Sequence, residues 1–253
     1  MTESEIRENR IKDILRGEIS AIRVFEEIDS TSSEARRYAA DGGAAPALFI
    51  ADGQTAGRGR TGKSFYSPKS QGLYATLLLS SKAESAVYMT TAAAVAVRRA
   101  VLRVTGIPTD IKWVNDLYLR GKKAAGILCE SAFFGGKGYV MIGFGINLST
   151  EEFPADLTHT ATSLGLCADL RDALAAACTE ELLRVWQSGL TAELLEEYRH
   201  CSAVLGRPII YSRNGISREG TATDIDNEGR LLVKRADGSE ELLSSGEITV
   251  RLV

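Results

Sequence analysis

Residues 57–64 read Gly-Arg-Gly-Arg-Thr-Gly-Lys-Ser, which puts Gly57, Gly62, Lys63 and Ser64 on the four fixed places of the phosphate-loop pattern G-x-x-x-x-G-K-[ST]. Two arginines and a lysine among glycines make an anion cradle. The cations neutralise phosphate or carboxylate oxygens, and the glycines let the backbone approach them. The flanks decide what kind of cradle it is. A phosphate loop needs a strand running into the glycines and a helix starting at Lys63-Ser64 that aims its amides at phosphate. Here "DGQTA" separates the apolar run Ala47 to Ala51 from Gly57, and Pro68 and Gly72 interrupt any helix before the β-like run Leu73 to Leu79. No later apolar strand ends in the aspartate of a magnesium-holding partner motif. The context speaks against an NTPase, and the anion-binding chemistry remains. Two more polar, glycine-bearing clusters accompany the loop: "KWVND" at 112–116 with "GKKAAGI" after it, and "GFGIN" at 143–147. Alone, the lysine-tryptophan pair reads as half-buried packing and the strand glycines as close packing.

The elements that must hold these clusters alternate between helix and strand. A charged segment over residues 1–18, apolar at Ile6, Ile11, Ile14 and Leu15, predicts a short amphipathic helix. Asp29, Ser30 and Thr31 then offer caps for a helix that stops at Gly42-Gly43. An alanine-rich helix from Glu84 closes at Gly106 and Pro108. Alternating segments at about 111–119, 123–132 and 138–147 predict a β-meander, and 170–200 one or two helices broken near Ser188-Gly189. Beyond Leu205 the chain consists of short alternating runs between "RNG", "DNEG", "ADG" and "SSG", all strong turn signals, as a small β-barrel would have. The expected division is therefore a main domain over 1–204 and a small β domain over 205–253.

Composition narrows the functional classes. The 253 residues are 44% hydrophobic, enough for a sizeable core. A net charge of −3 and a pI near 5.6 argue against broad attraction to nucleic acid or anionic lipid. No apolar stretch approaches the roughly 20 residues of a membrane span, and the first residues lack the apolar core of a secretory signal, so the cytoplasm is the expected compartment. Cys129, Cys167, Cys178 and Cys201 form no C-x-x-C pair and are expected as buried reduced thiols; His159 and His200 are too few for a histidine metal site or a serine-histidine triad.

Taken together and in order, the clusters resemble the biotin protein ligases, enzymes that attach biotin to a lysine of carboxylase carrier domains. "DSTSSEA" at 29–35 is similar to the segment that opens the family's first catalytic helix, "QTAGRGRTGKSFYSP" at 54–68 to its adenylate loop, "KWVNDLYLRGKKAAGIL" at 112–128 to its K-W-P-N-D segment and following lysine, and "GFGIN" to its G-x-G-I-N strand end. The resemblance implies an α+β fold: a mixed β-sheet catalytic domain of the biotin/lipoate ligase type with a small C-terminal SH3-like β-barrel. It implies biotin and ATP as substrates, Mg²⁺, a biotin carboxyl carrier protein as acceptor, and biotinyl-AMP as intermediate. Biotin contacts are expected from Ser30, Thr31, Ser32, Gln54, Arg58, Gly59, Arg60, Lys123, Gly126 and Ile127. ATP contacts are expected from Gly57, Arg58, Lys63, Phe65, Lys112, Asn115, Asp116 and Asn147, with Asn115 and Asp116 nearest the metal. Lys123, Arg58 and Arg60 are the catalytic candidates.

Two departures from the family pattern stand out: Val114 replaces the usual proline, and only about 28 residues precede "DST", too few for the winged helix-turn-helix that some members carry. No DNA binding or repressor activity is therefore expected. Family members often pair through the sheet, which leaves a homodimer open. The competing readings are a lipoate or octanoate ligase, whose families typically lack this loop, and a noncatalytic biotin or nucleotide-binding module, which catalytic turnover would separate.

Overall fold

The computed structural model describes residues 1–81, 88–213, 216–244 and 249–252. In chain order its elements are α1 (Glu3–Ile14), β1 (Ala21–Phe25), α2 (Thr31–Ala40), β2 (Ala47–Ala51), β3 (Gly72–Ser81), α3 (Met89–Thr105), β4 (Asp110–Lys112), β5 (Asp116–Leu119), β6 (Lys122–Phe134), β7 (Lys137–Asn147), α4 (Arg171–Ser188), α5 (Ala192–His200), β8 (Pro208–Arg213), β9 (Ile216–Ile225), β10 (Leu231–Lys234), β11 (Glu240–Leu243) and β12 (Thr249–Leu252). Seven strands form one sheet in the order β1-β2-β3-β7-β6-β5-β4, parallel only at β1–β2, and five form an antiparallel sheet in the order β11-β10-β9-β8-β12. This is the expected α+β fold with a small C-terminal β unit. Residues 84–87 of the expected alanine-rich helix, Asn214-Gly215 of "RNG" and Ser245-Gly246 of "SSG" lie outside the described residues. Among those described, no helix is long and apolar enough to cross a membrane.

Period-2 alternation sorts the large sheet's side chains onto two faces. Leu48 and Ile50 of β2, Leu73, Leu77 and Leu79 of β3, and Val140, Ile142, Phe144 and Ile146 of β7 enter the main core with α1, α3, α4 and α5. Ala47, Phe49, Leu78, Tyr139 and Met141 face the other way, under Ala35 and Ala39 of α2. Burial of the main face drives assembly, because each large aliphatic side chain taken from water contributes about 1.5–3 kcal/mol. The same core continues into Ile209, Tyr211, Ala222 and Leu231 of the small sheet.

Local signals end the elements where expected. Gly106, at φ +71°, closes α3 by donating to the Leu102 carbonyl at 2.8 Å. Thr2 and Glu5 form a capping box at the start of α1. Arg7 on α1 and Arg171 on α4 both donate to Asp52 Oδ1 at 2.8 Å, which ties two helices to the loop after β2.

One expected strand, 111–119, is two. The chain turns at Trp113, Val114 and Asn115, and β4 pairs back on β5, Lys112 opposite Asp116. Distant groups satisfy the turn: Tyr198 Oη donates to the Val114 carbonyl at 3.0 Å and Trp113 Nε1 to the Gly229 carbonyl at 3.0 Å. Trp113→Phe removes a buried donor and strands that carbonyl. It is expected to lower the unfolding free energy by about 1–3 kcal/mol, read from denaturant midpoints.

The thiols also need correction. Cys178 and Cys201 are buried and Cys129 partly so, whereas Cys167 is exposed. In the segment after β7, Leu164 turns inward and Leu166 packs on the core, so alternation sends Cys167 out. Burial pushes the Cys129 thiol up to about 12 and raises those of Cys178 and Cys201 as well. Native protein at pH 8 is expected to give one fast-reacting thiol with a chromogenic disulfide reagent, lost in Cys167→Ser; two or more fast thiols would contradict this burial.

Candidate active site

On the α2 side of the sheet the large residues run out along β7: after Tyr139 and Met141 come Gly143 and Gly145, and Gly126 of β6 pairs with Gly145. Three residues without side chains leave a hollow of about 260 Å³. Their backbones are its floor. A Cβ on Gly145 would lie 2.5 Å from the Phe65 ring and one on Gly126 would lie 2.9 Å from Lys123 Nζ, the flexible end of that side chain, so a larger residue at either position displaces a group of the site.

The N-terminus of α2 forms one wall. Ser30 is its N-cap residue but makes no capping bond with its side chain, which leaves that hydroxyl to the pocket. Gln54 Oε1 accepts from the Thr31 amide at 2.9 Å and lies 3.2 Å from Thr31 Oγ1; Gln54 Nε2 donates to Ser67 Oγ. Behind them Thr76 on β3 stands 2.9 Å from Thr31 Oγ1 and 3.2 Å from Ser32 Oγ. Thr76 went unnoticed in the sequence, although a small hydroxyl residue inside "LYATLLL" is the signal of a buried polar contact.

The glycine-arginine loop lies over this hollow. Its stem is strand-like, with Arg58 bridged to Ser64 and Phe65 N donating to the Gly57 carbonyl at 2.9 Å; its tip, Arg60–Gly62, is a single 3-10 turn with Thr61 and Gly62 at positive φ. No helix follows, which agrees with setting the NTPase reading aside. The two arginines diverge. Arg60 Nη1 donates to Asn115 Oδ1 at 3.2 Å, while Arg58 Nη2 donates to Glu130 Oε1 at 2.7 Å. Burial draws the Arg60 pKa below the usual arginine value, with Asp116 acting against it. A cation so poorly solvated gains more than a surface arginine from meeting an anion.

Opposite the loop stands Lys123. Its Nζ forms an ion pair with Asp116 Oδ1 at 2.7 Å, off the line of a hydrogen bond, and sits 5.7 Å from the Phe65 ring centroid. Asn115 spans the floor: Nδ2 donates to the Ile127 carbonyl at 2.5 Å and its own carbonyl accepts from Ile127 N. Lys112 donates to Tyr118 Oη at 3.0 Å, and burial pushes that phenol up to about 12. Lys63 and Gly59 also line the hollow.

The expected residues thus converge, with three qualifications of place. Ile127 reaches the hollow by its backbone, its side chain lying in the main core on the other face of the sheet. Gly57 stands behind the loop, packed against the Phe65 carbonyl and Ser67. Asn147 is buried and donates to the Thr162 carbonyl at 3.0 Å, bracing the segment whose Thr160 carbonyl accepts from Lys123 N. Asn115 Oδ1 meets Arg60 and Asp116 Oδ1 meets Lys123. The pair suits Mg²⁺ carried on substrate phosphates, not an ion held by protein groups alone, since no cluster of three His, Cys, Asp or Glu stands together among the described residues.

Residues 24–147 match the biotin/lipoate A/B protein ligase family, and residues 204–251 match the biotin protein ligase C terminal domain. The bifunctional ligase/repressor BirA of Bacillus subtilis (strain 168) is 31% identical over 97% of this chain and 78% of its own length; the biotin--[acetyl-CoA-carboxylase] ligase of Paracoccus denitrificans is 30% identical over 87% and 96%. The chain is a member of the biotin protein ligase family. Among solved structures, this ligase superposes on the biotin protein ligase from Aquifex aeolicus in complex with biotin and ATP with a TM-score of 0.77, at 25% identity over 92% of this chain and 100% of that one. The fold and both matched regions of this biotin ligase therefore agree with the resemblance read from its motifs.

Proposed function

We propose that this ligase activates biotin with ATP and passes it to a lysine of a biotin carboxyl carrier protein. A carboxylate oxygen of biotin attacks the α-phosphorus; the bond to the bridging β-phosphate oxygen breaks, and pyrophosphate leaves. The carrier amine then attacks the acyl carbon of biotinyl-AMP, the acyl–phosphate bond breaks, AMP leaves, and the amine gives up a proton. The observation that supports this most is the meeting of Lys123 and Arg60 at the Asn115-Asp116 turn, beside a floor made of Gly126 and Gly145.

In this reading the apolar body of biotin lies on the glycine floor. Ser30, Thr31, Ser32 and Gln54 supply hydrogen bonds at its polar head, and Lys123 leaves Asp116 to align the carboxylate. Arg60 leaves Asn115 for the α-phosphate as charge builds there, and Lys63 adds a further phosphate contact. Lys112 and Phe65 lie on the nucleotide side. Mg²⁺ arrives as part of the substrate, bound to the triphosphate. With the loop down, the mixed anhydride is shielded from water until the acceptor arrives. Incubation with biotin, Mg·ATP and a carrier domain is expected to add one biotinyl group to that domain, seen as a mass gain that vanishes when its target lysine is arginine. Acylation with lipoate or octanoate in place of biotin would move the chain to the neighbouring activity.

A further inference from the structure

The partner of Arg58 belongs to none of the sequence motifs. Alternation along β6 puts Gly126, Leu128 and Glu130 on the pocket face, with Glu130 opposite Met141 of β7. Glu130 Oε1 accepts from Arg58 Nη2 at 2.7 Å and lies 3.7 Å from Arg36 Nη2 of α2; its Oε2 is buried without a hydrogen-bond partner. A carboxylate with one oxygen desolvated depends on its cations, and here two converge on it.

The geometry makes this pair one of two struts. Arg58 belongs to the strand-like stem of the loop, being bridged to Ser64, so drawing its side chain onto β6 seats the stem on the sheet. Arg60 does the same at the other end through Asn115. Glu130 holds the Arg58 guanidinium toward β6 at 2.7 Å, and turning it fully onto phosphate would cost that charge-assisted bond. Arg60 faces the nucleotide side, so Arg58 does not need to.

We propose that Glu130 is a positioning residue that anchors the closed loop through Arg58 and thereby retains biotinyl-AMP, with Arg58 acting through Glu130 and not on phosphate. The proposal rests on the biotin-activating reading above. Arg58 is 39% exposed and Glu130 20%, so the effect is moderate. Glu130→Gln keeps the shape and removes the charge. It is expected to release or hydrolyse biotinyl-AMP about fivefold faster and to raise the KM for biotin about as much, while kcat of biotin-dependent pyrophosphate exchange falls less than about twofold. Arg58→Ala should shorten retention by the same factor, and Arg58→Ala/Glu130→Gln by no more than the worse single change. The exchanged pair Arg58→Glu/Glu130→Arg should regain retention that Arg58→Glu loses.

Wild-type retention in folded Glu130→Gln would overturn the proposal. So would a drop of about tenfold or more in kcat for Arg58→Ala that Glu130→Gln does not share, since it would make Arg58 a phosphate ligand. Wild-type protein without biotin-dependent exchange would instead overturn the underlying reading.

Discussion

Lys123→Ala is expected to slow biotin-dependent pyrophosphate exchange by at least about tenfold, on the order of 1.4 kcal/mol or more in the barrier, without unfolding the protein. The lysine sits 2.7 Å from Asp116 and is 32% exposed, in a hollow whose floor at Gly126 leaves room for its ammonium. Truncation does more than remove an attractive charge. It leaves Asp116 as the nearest ionised group to the incoming biotin carboxylate, turning attraction into repulsion between like charges. Lys123→Arg keeps the charge but not the compact ammonium, and should recover only part of the rate. A folded Lys123→Ala enzyme that exchanges at the wild-type rate would remove Lys123 from the chemistry.

Gly57→Ala is expected to be comparably damaging, although Gly57 touches no part of the hollow. A methyl group there would stand 2.5 Å from the Phe65 carbonyl, 2.6 Å from Ser67 Oγ and 3.0 Å from Gln54 Nε2. That carbonyl is backbone, on a residue whose amide is bonded to Gly57 itself, so relief requires the two sides of the loop stem to separate. Lifting the stem also frees Gln54, which holds Thr31. The expected result is a biotinyl-AMP lifetime shortened by about tenfold, on the order of 1.4 kcal/mol, with a raised KM for biotin. Rapid quenching followed by chromatography of the intermediate measures it, and an unchanged lifetime would show that the loop does not act as a lid.

The sequence discloses the site's content better than its geometry. Strand β2 has the bounds of its apolar run, Ala47–Ala51, and the break at Ser188-Gly189 separates α4 from α5, because these features are set by neighbours in the chain. The turn in "KWVND" is not legible, because alternation across Ile111, Trp113 and Leu117 mimics a continuous strand. Its partners, Tyr198 and Gly229, lie 84 and 116 residues away from the groups they bond. The different destinations of Arg58 and Arg60 are equally silent in a motif that spells both with one letter. Glu130 was within reach, since period 2 from Gly126 places it on the pocket face, but only the folded loop shows what it meets.

ATP–pyrophosphate exchange by the purified protein with Mg²⁺, run with biotin, with lipoate, with octanoate and with no acid, tests the central claim most directly. Exchange with biotin alone is the predicted result, since the site is read as an adenylating site for that acid. Exchange with lipoate or octanoate but not biotin, or with no acid at all, would contradict it.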